Sequence, residues 1–204
     1  MVKARSKSEE KRKQILDAAT RLFTEQGYSS TSMGHIAEQA NVSKQTVYSH
    51  FGNKDDLFSA AIEQKCDSFH MVDFCLDDIA EPETILFNLA QRFLAMLVSK
   101  EALAVHKICA YESTAHPQLA ELFFQAGPER LTKKVSELMS MFNQKGILEI
   151  EHPKTAAWQF LNMVRGETFL RTEFNTQKQV SAEETLSYLL ACVKLFIRGY
   201  QKRE

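Results

Sequence analysis

The chain has 204 residues, 44% of them hydrophobic, and a formal net charge of −1, which is ordinary for a soluble globular protein of one domain or two small ones. No stretch approaches the roughly 20 apolar residues of a spanning helix, and the N-terminal "MVKARSKSEEKRK" has no apolar core, so a membrane span and a secretory signal are excluded and a cytoplasmic location is expected. The charge is uneven: residues 1–54 carry nine Lys/Arg and five Asp/Glu, the remainder 16 and 21, and a basic head on an acidic body points to a polyanionic partner for the head alone.

No run alternates with period two for long enough to make a strand, so the expected fold is all-α. Lys3, Arg5 and Lys7 form a basic arm of a composition that either enters a minor groove or stays disordered. A first helix follows over 8–26, where Ile15, Ala18, Ala19, Leu22 and Phe23 fall at i, i+3, i+4, i+7 and i+8 and make one buried stripe. Glu9–Lys13 and Asp17–Arg21 are i,i+4 pairs on its wet side, and Gly27 ends it. A second helix, opened by the hydroxyl of Thr31 or Ser32, buries Ile36, Ala37 and Ala40. The third, 44–50, is capped by Ser43, with Asn41 taking the left-handed conformation of the turn before it. Its only large apolar residues are Val47 and Phe51, four apart and enough to seat it on two neighbours. That leaves Lys44, Gln45, Thr46, Tyr48, Ser49 and His50 around the remaining surface. A helix held by one edge and presenting amide, hydroxyl and cationic groups suits the DNA major groove, and helix, "QANVS" turn and polar helix make a helix-turn-helix. A fourth helix begins near Lys54 and carries Leu57, Phe58, Ala61, Ile62 and Phe69.

Beyond residue 81 the periodicity predicts amphipathic helices over 83–99, 101–113, 118–126, 129–145, 154–174 and 182–199. Pro82, Pro117, Pro128 and Pro153 each precede one of these patterns, where a missing N–H costs nothing, and Gly52 and Gly146 follow apolar runs as helix ends. Twelve of the fourteen phenylalanines and the single tryptophan lie beyond residue 54, which supplies a second, larger core. The expected division is therefore 1–53, a three-helix helix-turn-helix domain, and 54–204, a second helical domain. In the final helix Leu186, Leu189, Leu190, Val193, Leu195, Phe196, Ile197 and Tyr200 wrap past a single stripe, the mark of a helix buried on two sides. Cys66, Cys75, Cys109 and Cys192 are widely spread with no Cys-x-x-Cys pair and read as small buried hydrophobes. The six histidines have no ligand or triad spacing, and Glu112 with His116 reads as a helix-end contact beside Pro117. No metal, cofactor or catalytic set is expected.

Residues 12–58, "RKQILDAATRLFTEQGYSSTSMGHIAEQANVSKQTVYSHFGNKDDLF", resemble the DNA-binding domain of the TetR/AcrR family of bacterial transcription regulators. The shared marks are "A..LF...G", "IA..A.VS" and above all "YSHFGNKDDL". "FQAGPERL" (124–131) and "HPKTAAWQFLNMVRGETFLR" (152–171) resemble the ligand and dimerisation domain of the AefR-like subgroup. Asn41 stands where the family often has Gly and tolerates the same conformation; His35 replaces the acid of a capping box, so the second helix relies on its hydroxyl cap alone. Gln45 also replaces a frequent Gly, with a side chain able to pair bidentately with adenine.

The resemblance implies roles. Gln45 and Thr46 are the base readers, with Lys44 reaching base or phosphate; Ser43, Tyr48, His50 and Lys54 occupy phosphate-contacting positions, and Thr31 and Ser32 add a contact to their capping. For His50 the alternative is packing beside Phe51. An effector pocket in the second domain draws its apolar lining from Phe93, Met96, Ile108, Tyr111, Phe124, Trp158 and Met163, the alternative for each being plain helix-packing core. Glu112, Asn162 and Glu167 are its polar anchors unless the acids pair instead with Arg165 or Arg171. The implied function is a homodimeric repressor of double-stranded operator DNA, released by a small hydrophobic effector, and not an enzyme. The other reading is the same fold as a DNA-bound interaction protein or global regulator with no small ligand.

Overall fold

A computed structural model describes residues 7–70 and 81–202. These residues form α1 (Lys7–Gln26), α2 (Met33–Gln39), α3 (Lys44–Phe51), α4 (Lys54–Asp67), α5 (Pro82–Leu97), α6 (Lys100–Glu112), α7 (Pro117–Phe124), a π turn (Gln125–Glu129), α8 (Arg130–Gln144), α9 (Pro153–Glu173) and α10 (Ala182–Tyr200), with no strand among them. No helix among the described residues is long and apolar enough to cross a membrane. Lys3, Arg5 and Cys75 lie outside the described residues. The helices match the expected pattern closely, except that Pro128 stands inside the π turn rather than at the first position of α8. The chain divides into two compact units, one reaching to Lys65 and including Lys100–Pro128, the other formed by Cys66–Ser99 and the chain from Glu129 onward.

In the first unit α1 buries the expected stripe together with Leu16. Phe23 of α1 meets Phe58 of α4 edge-on at 5.1 Å, and Tyr28, in the turn after α1, meets Phe58 edge-on at 5.2 Å. Such pairs add about 0.5–1.5 kcal/mol each beyond the area they bury, so this trio fixes α4 against α1. Arg21 donates to Gln39 Oε1 at 2.5 Å and ties α1 to α2. Ser32, not Thr31, caps α2: its Oγ accepts the His35 N–H at 3.1 Å, the single cap that a histidine at position 35 allows. Ser43 caps α3 by accepting the Thr46 N–H at 3.1 Å, and Asn41 has φ 52° in the turn, both as expected. Asn53 caps α4 reciprocally with Asp56, accepting its N–H at 2.9 Å and donating Nδ2 to its carboxylate at 2.7 Å. Lys65 of α4 and Glu101 of α6 form an ion pair at 3.2 Å.

The second unit packs α5, α8, α9 and α10 around Leu86, Leu89, Val135, Met139, Phe142, Phe160 and Val193, each less than 1% exposed. Burying a side chain of that size contributes about 1.5–3 kcal/mol. Ser181 and Glu184 close a capping box at the start of α10. Midway along α9, Gly166 leaves the helical region, with φ 50° and ψ −163°. Tyr188 of α10 lies across that break and donates its hydroxyl to the Met163 carbonyl at 2.7 Å. Cys109 (first unit) and Cys192 (second unit) are buried and Cys66 is half-buried. Burial, reinforced by the charge of Glu112, pushes the Cys109 thiol up to about 12, so it stays protonated and inert.

Candidate nucleic-acid interface

Helix α3 is eight residues long, and Val47 (0% exposed) and Phe51 (6%) anchor it. Lys44, Gln45, Tyr48 and Ser49 are exposed, while Thr46 and His50 are half-buried. The Lys44 ammonium lies 5.9 Å from the centre of the Tyr48 ring, and Ser49 Oγ donates to the Thr46 carbonyl at 2.9 Å. The hydroxyls of Ser43 and Thr46 are hydrogen-bonded to each other at 2.8 Å. His50 sits beside Phe51 with ring centres 6.2 Å apart. Arg12 of α1 covers the same Phe51 ring at 5.1 Å, so the C-terminal end of α3 is closed off by a cation stacked on its anchor.

Thr31 does not belong to this surface. It is 2% exposed, and its hydroxyl donates to the Gly27 carbonyl at 2.8 Å, so it is committed inside the turn and cannot reach a phosphate. Ser32 remains exposed beside the cap it forms. Lys54, at the start of α4, places its ammonium 4.0 Å from the centre of the Tyr28 ring. Burial lowers its pKa, opposed by the carboxylates of Glu112 and Asp55. Tyr28 donates its hydroxyl to Asp55, and burial together with that bond raises its pKa well above the tyrosine range.

The second half of the chain matches the family model described as the AefR-like transcriptional repressor C-terminal domain, over residues 84–202. Residues 15–61 match that of the bacterial regulatory proteins of the tetR family. The chain belongs to the TetR family. Its members are transcriptional regulators, not enzymes, and the all-helical fold with an N-terminal helix-turn-helix is theirs. Among TetR-family structures, the flavonoid-responsive regulator FrrA is 32% identical, with 96% of this chain and 100% of that one covered at a TM-score of 0.76. A regulator from Mesorhizobium loti is 28% identical over 97% of this chain and 100% of its own, with a TM-score of 0.79. AcrR of Shigella flexneri is 51% identical over 57 residues, 28% of this chain and 26% of AcrR; the chain spans about a quarter of the length of the first curated relatives it matches.

The residues expected to line a TetR-type effector pocket belong to both units. Phe93 and Met96 of α5 are buried and Trp158 and Met163 of α9 half-buried, all in the second unit. Ile108, half-buried, Tyr111, 88% exposed, and Phe124, 43% exposed, belong to the first. The three polar anchors find partners without a ligand. Asn162 is exposed and donates to the Trp158 carbonyl at 2.9 Å, Glu167 accepts from Arg171 at 2.5 Å, and Glu112 accepts from Ser29 at 2.5 Å. The Glu167–Arg171 pair is one of the arginine pairings open to these acids. Sequence reasoning missed Asn53, Gly166 and the Ser29–Glu112 contact; of these, only Asn53 had a local signature, Asn followed by Asp three residues on.

Proposed function

We propose that the protein is a homodimeric repressor that binds a twofold operator through α3 and is released by a small, largely apolar effector. Residues 1–53 act as the DNA reader, and 54–204 carry effector binding and dimerisation. The observation that carries this reading is the division of labour in α3. Two buried residues hold the helix, while Lys44, Gln45, Tyr48 and Ser49 are left exposed on it. Gln45 and Thr46 read bases, Lys44 reaches base or phosphate, and Ser32, Ser43, Tyr48, His50 and Lys54 contact phosphates.

Dimerisation is supported by apolar side chains left uncovered in the second unit: Leu170 (53% exposed), Phe174 (74%), Leu186 (44%) and Leu195 (64%) on or beside α9 and α10. A second copy seated there forms an isologous interface, and two α3 helices then address two half-sites. The effector enters among Phe93, Met96, Trp158 and Met163, where methionine adapts to the shape of its contents. FrrA, similar along nearly the whole chain, is described as flavonoid-responsive, and the C-terminal family as repressors, which supports this class of ligand and this sign of regulation. Operator and effector then weaken each other by linkage.

The test is an anisotropy titration at two salt concentrations, using duplexes recovered from a random-sequence pool by the protein itself. Lys54→Ala weakens every duplex and lowers the salt slope, whereas Gln45→Ala loses about 1–3 kcal/mol of discrimination at particular base pairs only. Uniform weakening by Gln45→Ala would remove it from the base readers.

A further inference from the structure

At the C-terminal end of α6, Glu112 reaches the turn that joins α1 to α2. Its Oε2 accepts the Ser29 hydroxyl at 2.5 Å and the Ser29 backbone N–H at 3.2 Å. Its Oε1 lies 2.7 Å from the point where a Cβ on residue 27 would stand, so the carboxylate fits because that residue is glycine. Gly27 also holds φ +85°, a conformation that side chains resist. The same turn runs directly into the recognition module: Thr31 is bound back to the Gly27 carbonyl, and Ser32, the next residue, caps α2. On the other flank, Tyr28 and Lys54 lie within reach of the Glu112 charge.

We infer that Glu112 is a positioning residue for DNA recognition: by holding Ser29 it ties the end of α6 to the α1–α2 turn and fixes the orientation in which α2 and α3 are presented. Two features separate this from plain stabilisation. The core beneath the turn is complete without it, with Ile15, Ile36 and Val47 fully buried and Phe23 and Phe58 nearly so. The contact itself is at the surface, Ser29 being exposed and Glu112 half-buried, where such bonds add little to stability. What a charge-assisted bond adds there is direction: apolar contacts slide, but a 2.5 Å bond to a carboxylate fails within about an ångström of displacement.

The inference rests on the twofold operator reading and predicts an effect on half-site spacing rather than on base preference. The recovered duplex is compared with versions whose half-sites are one or two base pairs closer or further apart. Wild-type protein discriminates among these spacings. Glu112→Ala narrows that discrimination by roughly three- to tenfold, with base preference inside each half-site and the thermal midpoint close to wild type. Glu112→Gln, whose amide oxygen still accepts from Ser29, restores most of the gap. Ser29→Ala narrows it less than Glu112→Ala and adds nothing in the double variant, because the two act through one contact. Unchanged spacing discrimination in Glu112→Ala and Ser29→Ala overturns the inference, as does additive loss in the double variant. A wild-type protein indifferent to spacing overturns the twofold reading instead, and this inference with it.

Discussion

Gly166→Ala tests the break in α9 and its cause together. In an ordinary helix this substitution stabilises by about 1 kcal/mol, because alanine loses less backbone entropy on folding. Here the sign reverses for two reasons. The φ of 50° with ψ of −163° belongs to a region that is essentially reserved for glycine and costs a side chain about 1–3 kcal/mol. The added Cβ would also collide with the Tyr188 ring, standing 2.9 Å from Cζ and 3.1 Å from Cδ1 and closer still to Cε1. Moving that ring breaks the Tyr188–Met163 hydrogen bond, a further loss of about 0.5–1.5 kcal/mol. A net destabilisation of about 2–4 kcal/mol lowers the thermal midpoint by roughly 5–15 °C for a chain of this size. Circular dichroism melting measures it, with Gly34→Ala as the control: Gly34 is helical in α2, its Cβ would meet nothing nearer than 3.8 Å, and this variant melts at or slightly above wild type. Tyr188→Ala in the Gly166→Ala background relieves the collision, so the pair destabilises by less than the sum of its parts. A Gly166→Ala protein as stable as wild type would mean that α9 runs straight through position 166 and that Tyr188 packs elsewhere.

Leu195→Asp on α10 places a carboxylate on the exposed apolar face and converts the dimer to folded monomer by light scattering; an unchanged mass places the interface elsewhere. Asp67, held by Arg130 at 2.9 Å and Lys134 at 3.1 Å, has a pKa that burial raises but these hydrogen bonds carry below its usual value. A depressed carboxylate stabilises the fold above its unfolded pKa near 3.8 and loses that contribution as pH falls through the folded value. Asp67→Asn therefore destabilises at neutral pH, by under about 1 kcal/mol because the pair is half exposed, and the difference vanishes in acid unfolding below the carboxylate range. On the proposed effector reading, half-buried Trp158 changes its emission when a small apolar ligand titrates into the second unit, and a flat response across such ligands removes the site.

What the sequence disclosed was local. Ser43 as a cap, Asn41 in the left-handed region and the α1 stripe all depend on neighbours within four residues, and each stands where its spacing put it. Thr31 and Ser32 are adjacent hydroxyls of equal capping chemistry. Only the folded turn, which brings the Gly27 carbonyl under Thr31, decides between them. Glu112 was assigned to a pocket because an acid on an apolar helix looks unpartnered, but its partner is 83 residues away in sequence. Gly166 has no local signal inside the 154–174 helical pattern, since the ring that packs over it comes from the next helix. Pro128 favours a helix start because that is proline's commonest place in a helix, but a π turn, with its altered hydrogen-bond ladder, accommodates it as well.

The economy of α3 bears on how such a protein changes over generations. Its attachment to the fold is concentrated in Val47 and Phe51, whereas Lys44, Gln45, Tyr48 and Ser49 are exposed. On the proposed reading, substitutions at Lys44, Gln45 or Tyr48 alter what the helix addresses without touching what keeps it folded, because exposed positions away from caps and cores shift stability by no more than about 0.5 kcal/mol. If α3 reads its target as proposed, a lineage can rewrite that target one letter at a time, each intermediate remaining folded, before any change reaches the helices beneath.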